Sequence, residues 1–369
     1  MKKITYLSAV ALTGILSFSS CKKDTKEPTP EPTPTPVAPS YTIPSTYNFS
    51  NATFTISGQR LSMLSEMTTY IKTAHTTTAT PILSDQKLKD MFANSNAQFT
   101  DPSLNTSGIQ LKDKTSNAFN FQTDLDTKFT DLSNLTQTTP VGSNGVAGKV
   151  TSGVKAYIFD ANGFEYKEAL EKGVMGATFY NQATTILKNI ATYDNSTAGT
   201  ATISAMENAW DEAFGYFGVP IDFPTNTTNL KNWGTYCNNV NVAIGSNATI
   251  MNAWLKGRAA ISNKDNTSRD AARDVVVSTW EKIAAARFIT YVKAAKTNIA
   301  DDAIRNHNLS ESVGFVLAFR YNPSKTISDA DITTLLSYFG TNLYTVTTTN
   351  LDNAITKMAT IFNLDPNTL

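Results

Sequence analysis

His307 and Glu311, four residues apart, form the sharpest chemical signal in the sequence. On an α-helix, side chains at this spacing extend from successive turns of the same face. Imidazole and carboxylate groups are common metal ligands, so the two side chains could bind one ion together. One helix cannot complete such a site, because iron or zinc needs at least one or two further ligands. The pair therefore predicts a metal site to which other elements contribute.

Acidic residues on two other predicted helices could supply the missing ligands. The helix at about 164–190 is apolar on nearly all sides, so we expect Glu168 and Glu171 to lie inside the protein. Asp211 flanks the buried aromatic stripe predicted at 199–218. A carboxylate-rich set with one imidazole favours iron or another divalent metal ion over a structural zinc. The predicted metal ligands are His307, Glu311, Glu171, Glu168 and Asp211, and the residues predicted to surround them are Glu207, Glu212, Lys172 and Arg258.

The same acidic groups also suit a purely structural role. Glu171 could pair with its neighbour Lys172, and the other acids could pair inside the core with arginines. The arginines considered are Arg258, Arg273, Arg287 and Arg320. Buried ion pairs of this kind fix how helices pack without binding any ligand. The sequence leaves both interpretations open and favours the ion-paired core.

Signatures of catalysis are mostly missing from the sequence. It contains no glycine-rich phosphate loop, no GxSxG elbow and no HExxH motif. His75 lies in a threonine-rich run and is expected to be solvated, and the neighbours of His307 supply no nucleophile. Paired acids of the glycosidase type stay open, because only their separation in space defines them. The sequence therefore favours binding over catalysis.

The amino-acid composition argues against nucleic acid as a partner. The 31 basic residues balance 31 acidic ones, so no nucleic-acid-binding surface is expected. The hydrophobic fraction of 41% is ample for a large core. Only two cysteines occur, Cys21 and Cys237. Because we expect Cys21 to be lipidated, Cys237 has no cysteine partner and no disulfide framework is expected.

The first forty residues resemble the start of a bacterial lipoprotein. Two lysines precede an apolar stretch at 6–18 that is too short to span a bilayer, and small residues then lead to Cys21. We expect residues 1–20 to be a signal peptide and Cys21 to be lipidated. Residues 21–40 then form a lipid anchor and a Pro/Thr-rich stalk, which extends as polyproline II. The remaining residues, 41–369, are predicted to form a single domain.

Helical periodicity dominates this domain, which predicts an all-α, multi-helix bundle. Residues 41–60 contain a short alternating run at 54–57 and are expected to form a short extended or β-hairpin segment. Gly173 and Gly176 indicate close approach of another helix, and residues 219–247 are predicted to be a long connection. The helices predicted after residue 95 cover about 116–135, 164–190, 199–218, 248–262, 268–296, 299–321, 328–339 and 350–363.

Several motifs resemble those of uncharacterised helical lipoproteins of Bacteroidetes that carry a domain of unknown function. They are the run Tyr47-Asn48-Phe49, GQRLSMLSEMTTYIKTA at 58–74, EKGVMGA at 171–177, WDEAFGYFG at 210–218, GRAAI at 257–261 and HNLSESVGF at 307–315. The family is similar, more distantly, to the imelysin group, which is helical, rich in lipoproteins and marked by a GxHxxE motif. This chain has HxxxE at His307 instead, without the preceding glycine.

This resemblance implies a place in iron or haem uptake. Family members tend to accompany imelysin-like lipoproteins and outer-membrane receptors, which are therefore the expected protein partners. Our leading hypothesis is a lipid-anchored outer-membrane protein, facing the cell exterior, that acts as a binding or accessory component in the acquisition of iron, haem or another metal. The alternative is a glycan- or receptor-binding helical scaffold that uses an exposed aromatic surface, for instance Trp233 on the 219–247 connection.

Overall fold

Helices make up most of the computed structural model, which describes residues 40–369. Cys21, the predicted signal peptide and the predicted stalk up to residue 39 lie outside the described residues. The α-helices are α1 (Thr55–Lys72), α2 (Asp85–Ala93), α3 (Pro102–Asn105), α4 (Phe121–Thr138), α5 (Tyr166–Val174), α6 (Asn181–Lys188), α7 (Ala205–Phe217), α8 (Trp233–Ile244), α9 (Ser246–Ser262), α10 (Asn266–Thr297), α11 (Asp302–Ala318), α12 (Asp329–Phe339) and α13 (Thr348–Phe362). The prediction of an all-α, multi-helix bundle is confirmed.

One small antiparallel hairpin joins strands β1 (Gly148–Ser152) and β2 (Lys155–Phe159). It lies between α4 and α5. Residues 41–54 contain neither helix nor strand, in agreement with an extended segment. The alternating run at 54–57 is not a strand, because α1 already begins at Thr55.

Tertiary packing explains why this run is helical. Ser57 is fully buried, and its Oγ lies 2.0 Å from the position that a Cβ at Gly215 of α7 would occupy. The first turn of α1 therefore fits against the one residue of α7 that has no side chain. Contact of this kind outweighs the weak strand preference of a four-residue alternation.

Helices α5 and α6 form one continuous helical stretch through a π-helical segment, Met175–Tyr180. The predicted helix at 164–190 is thus present, and π-helical turns often occur at functional sites. The predicted close approach at its glycines is also found. A Cβ on Gly173 would lie 2.5 Å from the ring of Phe121, and one on Gly176 would lie 3.0 Å from Cα of Ala318.

The longest helix, α10, packs against α9, α11 and α13. Helix α8 occupies part of the predicted 219–247 connection, so that connection is shorter than expected. Trp233, its first residue, is 1% exposed and donates a hydrogen bond from Nε1 to the carbonyl of Met175 at 3.1 Å. The expectation of an exposed Trp233 is therefore wrong. Between residues 40 and 369, no helix combines the length and apolar character needed to cross a membrane.

Candidate functional site

Helices α5 and α11 bring two carboxylates and one imidazole together. Each of Glu165, Glu168 and His307 offers a ligand atom, and the three atoms all lie within 4.8 Å of one another. His307 Nδ1 lies 2.6 Å from Glu165 Oε2 and 3.8 Å from Glu168 Oε1. Among the described residues, this is the one group of three or more acidic, histidine or cysteine side chains with metal-binding spacing.

Local contacts between the two helices fix this arrangement. Glu165 precedes the first turn of α5, and its backbone N–H donates to Ser310 Oγ of α11 at 2.9 Å. Two turns further along α5, the stem of Lys172 lies against Gly314, where a Cβ would come within 2.3 Å of Lys172 Cβ. The missing side chain at Gly314 therefore lets the helices approach closely enough for their charged groups to meet.

Two buried lysines neutralise the acids on this face of α5. Lys172 Nζ lies 2.9 Å from Glu168 Oε2, 3.1 Å from Glu171 Oε1 and 3.0 Å from Glu311 Oε2. Lys167 Nζ contacts Glu168 Oε1 closely and lies 3.0 Å from Glu171 Oε2. We call this set the α5–α11 cluster, and it consists of Glu165, Lys167, Glu168, Glu171, Lys172, His307 and Glu311.

His307 and Glu311 have different partners within this cluster. His307 contacts Glu165 and Glu168, whereas Glu311 pairs with Lys172 one helical turn away. Glu171 likewise pairs with both lysines. The structure therefore brings His307 and Glu168 together as predicted, but it separates Glu311 and Glu171 from them by a lysine.

Two members of the site, Glu165 and His75, were missed at the level of sequence. Glu165 lies three residues before Glu168, a helical spacing that could have marked it. His75 follows α1, and its Nδ1 lies 3.7 Å from Glu165 Oε1. Its side chain is only 10% exposed, so the expectation of a solvated histidine is wrong. Tyr157 of β2 covers the imidazoles, stacking on His307 with ring centroids 4.4 Å apart.

The pKa values of the two histidines shift in opposite directions. Burial alone would lower the pKa of His307, but the nearby Glu165 and Glu168 carboxylates outweigh burial and raise it. Burial dominates at His75 and lowers its pKa, although Glu165 acts in the opposite direction. His307 is consequently the imidazole that favours a positive charge, and His75 favours the neutral form.

Burial and the neighbouring lysines also shift the pKa values of the acids in opposite directions. Burial would raise the pKa of Glu168, but the ammonium groups of Lys172 and Lys167 hold it well below its usual range. Glu311 has the opposite balance, because burial and the neighbouring Glu168 raise its pKa to about 7. Lys172 keeps its proton, since three carboxylates raise its pKa despite complete burial. One acid of the cluster therefore titrates near neutral pH.

Several buried polar atoms of the α5–α11 cluster and of His75 form no hydrogen bond within the protein. They are His75 Nε2, Glu165 Oε1, Glu168 Oε2, Lys172 Nζ and Glu311 Oε2. Some of them lie at ion-pair distance from a charged neighbour, but the angles do not favour a hydrogen bond. Buried polar atoms are rarely left in this state, so each one needs an explanation. A bound ion or ligand is one explanation that the donor set allows.

Asp211 belongs to a different group, between α7 and α9. Its Oδ1 accepts hydrogen bonds from Arg258 Nε at 2.8 Å and from the Tyr47 hydroxyl at 2.7 Å. Arg258 also donates from Nη1 to Glu207 Oε1 at 2.7 Å. We call this set the α7–α9 cluster, and it consists of Tyr47, Glu207, Asp211, Arg258 and Ser262.

This second cluster has a clear structural role. Glu207 also caps α7, since the Ser204 backbone N–H donates to Glu207 Oε2 at 2.9 Å. Glu212 lies outside it and accepts a hydrogen bond from the Tyr216 hydroxyl at 3.2 Å. Asp211, Glu207 and Arg258 thus form the ion-paired core that the sequence had offered as an alternative, and the structure does not join Asp211 to His307.

The donor set of the α5–α11 cluster fits a divalent metal ion. Glu165 and Glu168 offer carboxylate oxygens and His307 offers a ring nitrogen, a combination typical of iron or manganese more than of structural zinc. Three protein ligands leave further coordination positions for water or another molecule. A metal ion there would have to replace the contact between Lys167 and Glu168 as well as any proton on His307 Nδ1.

Comparison with known proteins identifies the family. Neither the curated proteins nor the solved structures include a match to this chain. A family model described as Domain of unknown function (DUF4856) matches residues 44–364, a span that contains every helix and strand described above and both clusters. The chain belongs to this family, Domain of unknown function (DUF4856).

Proposed function

We propose that this protein binds a divalent transition-metal ion, iron in the first place, through Glu165, Glu168 and His307. The observation that carries this proposal is the convergence of three ligand atoms within 4.8 Å at a buried position. Glu171 and Glu311 act one layer further out, where they balance Lys167 and Lys172. His75 lies close enough to Glu165 to orient it.

The binding role belongs, in this proposal, to metal acquisition at the outer membrane. Lipidated Cys21 and the Pro/Thr-rich stalk hold the helical domain on the exterior side, where it works with an outer-membrane receptor or an imelysin-like lipoprotein. The motifs shared with helical lipoproteins of Bacteroidetes support this placement. Incorporation of labelled palmitate into the full chain, and its loss in Cys21→Ala, tests the anchor; equal labelling of both chains would overturn it.

The alternative function, a glycan- or receptor-binding scaffold, cannot use Trp233, the example that the sequence suggested for its exposed aromatic surface. Trp233 is buried in the core, where it contacts Tyr180 and Trp280. A ring in that position cannot stack on a sugar or a partner without unfolding α8.

Metal titration of residues 22–369 tests the proposal, since this chain contains the whole compact unit Tyr41–Leu369. The protein is freed of metal with a chelator and titrated calorimetrically with Fe(II) under anaerobic conditions, then with Mn(II) and Zn(II). We expect one equivalent to bind. Glu165→Gln and His307→Ala should each weaken binding by at least about 100-fold, because even residues that only support metal ligands cost about 10–100-fold.

Two variants serve as controls. Asp211→Asn changes a residue that the sequence pattern predicted as a ligand, and Glu212→Gln changes an acid outside both clusters. We expect both to bind metal within a few-fold of the unchanged chain. Absence of stoichiometric binding at micromolar metal, or equal binding by Glu165→Gln and His307→Ala, would overturn the proposal.

A further inference from the structure

A cavity of about 460 Å³ opens between α4, α5 and α11. Sites for small organic molecules typically enclose about 300–1,000 Å³, so this volume suits such a ligand. Its wall is mainly apolar, and the side chains that form it include Phe119, Phe121, Leu125, Phe164, Val313 and Leu317. Glu165 and Glu168 adjoin the cavity, but their side chains have no exposed surface and contact His307 instead. An occupant therefore packs against apolar side chains and finds no acceptor in these two carboxylates.

Phe119 lies at the mouth of this cavity in an unfavourable conformation. Its φ angle is 59°, and the φ angle of the next residue, Asn120, is also 59°. Left-handed backbone is unfavourable for a residue with a bulky side chain, and such strained residues cluster where ligands bind. The Phe119 side chain is nevertheless 60% exposed. The fold thus holds an aromatic ring open to solvent beside an apolar cavity.

Two partly exposed bases of the cavity wall lack an acidic partner. The guanidinium of Arg320 lies 5.3 Å from the centre of the Phe119 ring, and the ammonium of Lys128 lies 5.9 Å from that of the Tyr166 ring. Among residues 40–369, neither cationic group forms a hydrogen bond or an ion pair. A guanidinium that lies over a ring keeps its N–H groups free to bind a carboxylate.

The other charged groups of the wall are engaged elsewhere or solvated. Asp160 Oδ1 accepts hydrogen bonds from the backbone N–H groups of Asn162 and Phe164 at 2.8 Å and 2.9 Å. Asp124 is exposed in the first turn of α4, where the helix dipole favours a negative charge. Lys172 lies among three carboxylates, so it is not available to a ligand. The two unpaired bases are therefore the charges that a ligand can use, and they favour an anion.

We propose that the cavity binds a small carboxylic acid, whose carboxylate contacts Arg320 and whose apolar body packs against the aromatic wall. The planar guanidinium can hold a carboxylate through two parallel hydrogen bonds, and Lys128 adds a second positive charge. The Phe119 ring beneath the guanidinium joins this polar end to the apolar wall. The site uses none of the proposed metal ligands, so it goes beyond the proposed metal function and does not depend on it.

Calorimetric titration of the metal-free chain 22–369 with three matched probes tests this inference. The probes are 4-phenylbutyrate, 4-phenylbutanol and 4-phenylbutylamine, which share a ring and a chain and differ in the polar group. We expect the carboxylate to bind at least about 10-fold more tightly than the alcohol, because hydrogen bonds between charged groups are among the stronger ones. The amine should bind most weakly. Equal affinity for the three probes, tightest binding of the amine, or no binding of 4-phenylbutyrate at millimolar concentration would overturn the proposal.

Arg320→Met separates recognition of the carboxylate from packing in the cavity. This variant keeps an unbranched apolar side chain and removes the guanidinium, so the affinity for 4-phenylbutyrate should fall by about 10-fold while that for the alcohol stays the same. Arg273→Met is the control, since it removes the same charge from a residue that does not line the cavity. An equal loss for both probes in Arg320→Met, or an unchanged affinity for 4-phenylbutyrate, would overturn the assignment of the guanidinium.

Two further variants distinguish the cavity from the metal site. Ala169→Phe fills the cavity without changing a charged residue, so it should abolish binding of all three probes. A folded Ala169→Phe chain that still binds 4-phenylbutyrate as tightly as the unchanged chain would overturn the proposal, and Arg320→Met keeps the test decisive if Ala169→Phe does not fold. His307→Ala should lose metal and keep its affinity for 4-phenylbutyrate. Failure of the metal proposal and failure of the carboxylate proposal therefore give different results.

Discussion

The two buried charge clusters of this protein use similar residues in different ways. In the α7–α9 cluster, one arginine bridges Asp211 and Glu207 through directed hydrogen bonds, and a tyrosine and a serine complete the contacts. In the α5–α11 cluster, Lys172 lies among three acids without a directed hydrogen bond. The first cluster leaves one carboxylate oxygen without a partner, Asp211 Oδ2, whereas the second leaves several atoms unsatisfied beside a cavity.

This difference teaches which buried charges hold helices together and which are available to a ligand. The fork of Arg258 binds two carboxylates in a fixed geometry, so Asp211 Oδ2 is the one carboxylate oxygen of its cluster that lacks a partner. An ammonium group is a compact charge that can change partners, so in the metal-binding proposal the lysine cluster exchanges a lysine contact for a metal ion. The predictions below test this distinction.

The largest expected effect comes from breaking the arginine cluster. Arg258→Met leaves the carboxylates of Glu207 and Asp211 buried without their partner. Breaking a buried ion pair in this way typically costs about 3–5 kcal/mol. We expect that loss in the free energy of unfolding, measured by urea denaturation of chain 22–369.

A matched change in the other cluster sharpens the comparison. Lys172→Met should cost less, about 1–3 kcal/mol, because Lys167 still pairs with Glu168 and Glu171 and because Glu311 can take up a proton. Adding Asp211→Asn and Glu207→Gln to Arg258→Met should restore part of the lost stability. A loss below about 1 kcal/mol for Arg258→Met would contradict the structural role of its cluster.

The pH dependence of stability should also distinguish the clusters. Burial raises the pKa of Glu311 from 4.5 to about 7, so between these values the folded protein keeps a proton that the unfolded chain has lost. Stability therefore falls as the pH rises through this window, by up to about 3 kcal/mol at 1.36 kcal/mol per pH unit. Burial raises the pKa of Asp211 from 3.8 to about 6. The loss of stability linked to the Asp211 proton is therefore complete near pH 6.

Glutamine and asparagine variants isolate these two contributions. Glu311→Gln mimics the protonated acid, so its free energy of unfolding should rise relative to that of the unchanged chain as the pH increases from about 4.5 to 7. For Asp211→Asn, the free energy of unfolding should rise relative to that of the unchanged chain between about pH 4 and 6. Above pH 6 this difference should change little. Denaturation curves at pH 4, 6 and 7.5 measure both differences. A constant difference between Glu311→Gln and the unchanged chain from pH 6 to 7.5 would refute the assignment.

The sequence predicted the bundle better than the site, for a physical reason. Helical periodicity is local, so helices such as α10 and α11 were predicted nearly to their ends. Which buried acid meets which base depends on how helices cross, and no local pattern contains that information. Asp211 and Glu311 were therefore grouped with His307, although an arginine and a lysine pair with them instead.

Some residues of the site were predicted correctly from their local sequence, and others were not. Gly173 and Gly176 correctly predicted a close helix contact. Glu165 was missed because it precedes the first turn of α5 rather than lying within the apolar stripe. His75 was misassigned because its threonine-rich neighbours indicate a solvated loop, while the burial of its ring comes from contact with Tyr157 and Glu165.

Glycine substitutions, one per cluster, give the smallest and most specific test. A Cβ on Gly257 would lie 2.0 Å from the Trp210 ring in the α7–α9 region, and one on Gly314 would lie 2.3 Å from Lys172 Cβ. Gly257→Ala and Gly314→Ala should each cost about 1–3 kcal/mol from overpacking. Gly58→Ala is the control, since nothing lies within 4 Å of its Cβ position, and alanine should stabilise helix α1 there by up to about 1 kcal/mol.

Only one of these two destabilised variants should also affect metal binding. Gly314→Ala separates α5 from α11 and moves Glu168 away from His307, so its affinity for Fe(II) should fall by about 10-fold or more, as for residues that orient metal ligands. Gly257→Ala changes the packing of Trp210 and leaves the α5–α11 cluster as it is. Urea denaturation and calorimetric titration of the same preparations measure both effects. If Gly257→Ala weakened metal binding as much as Gly314→Ala does, the two clusters would be coupled and the division of roles between them would be wrong.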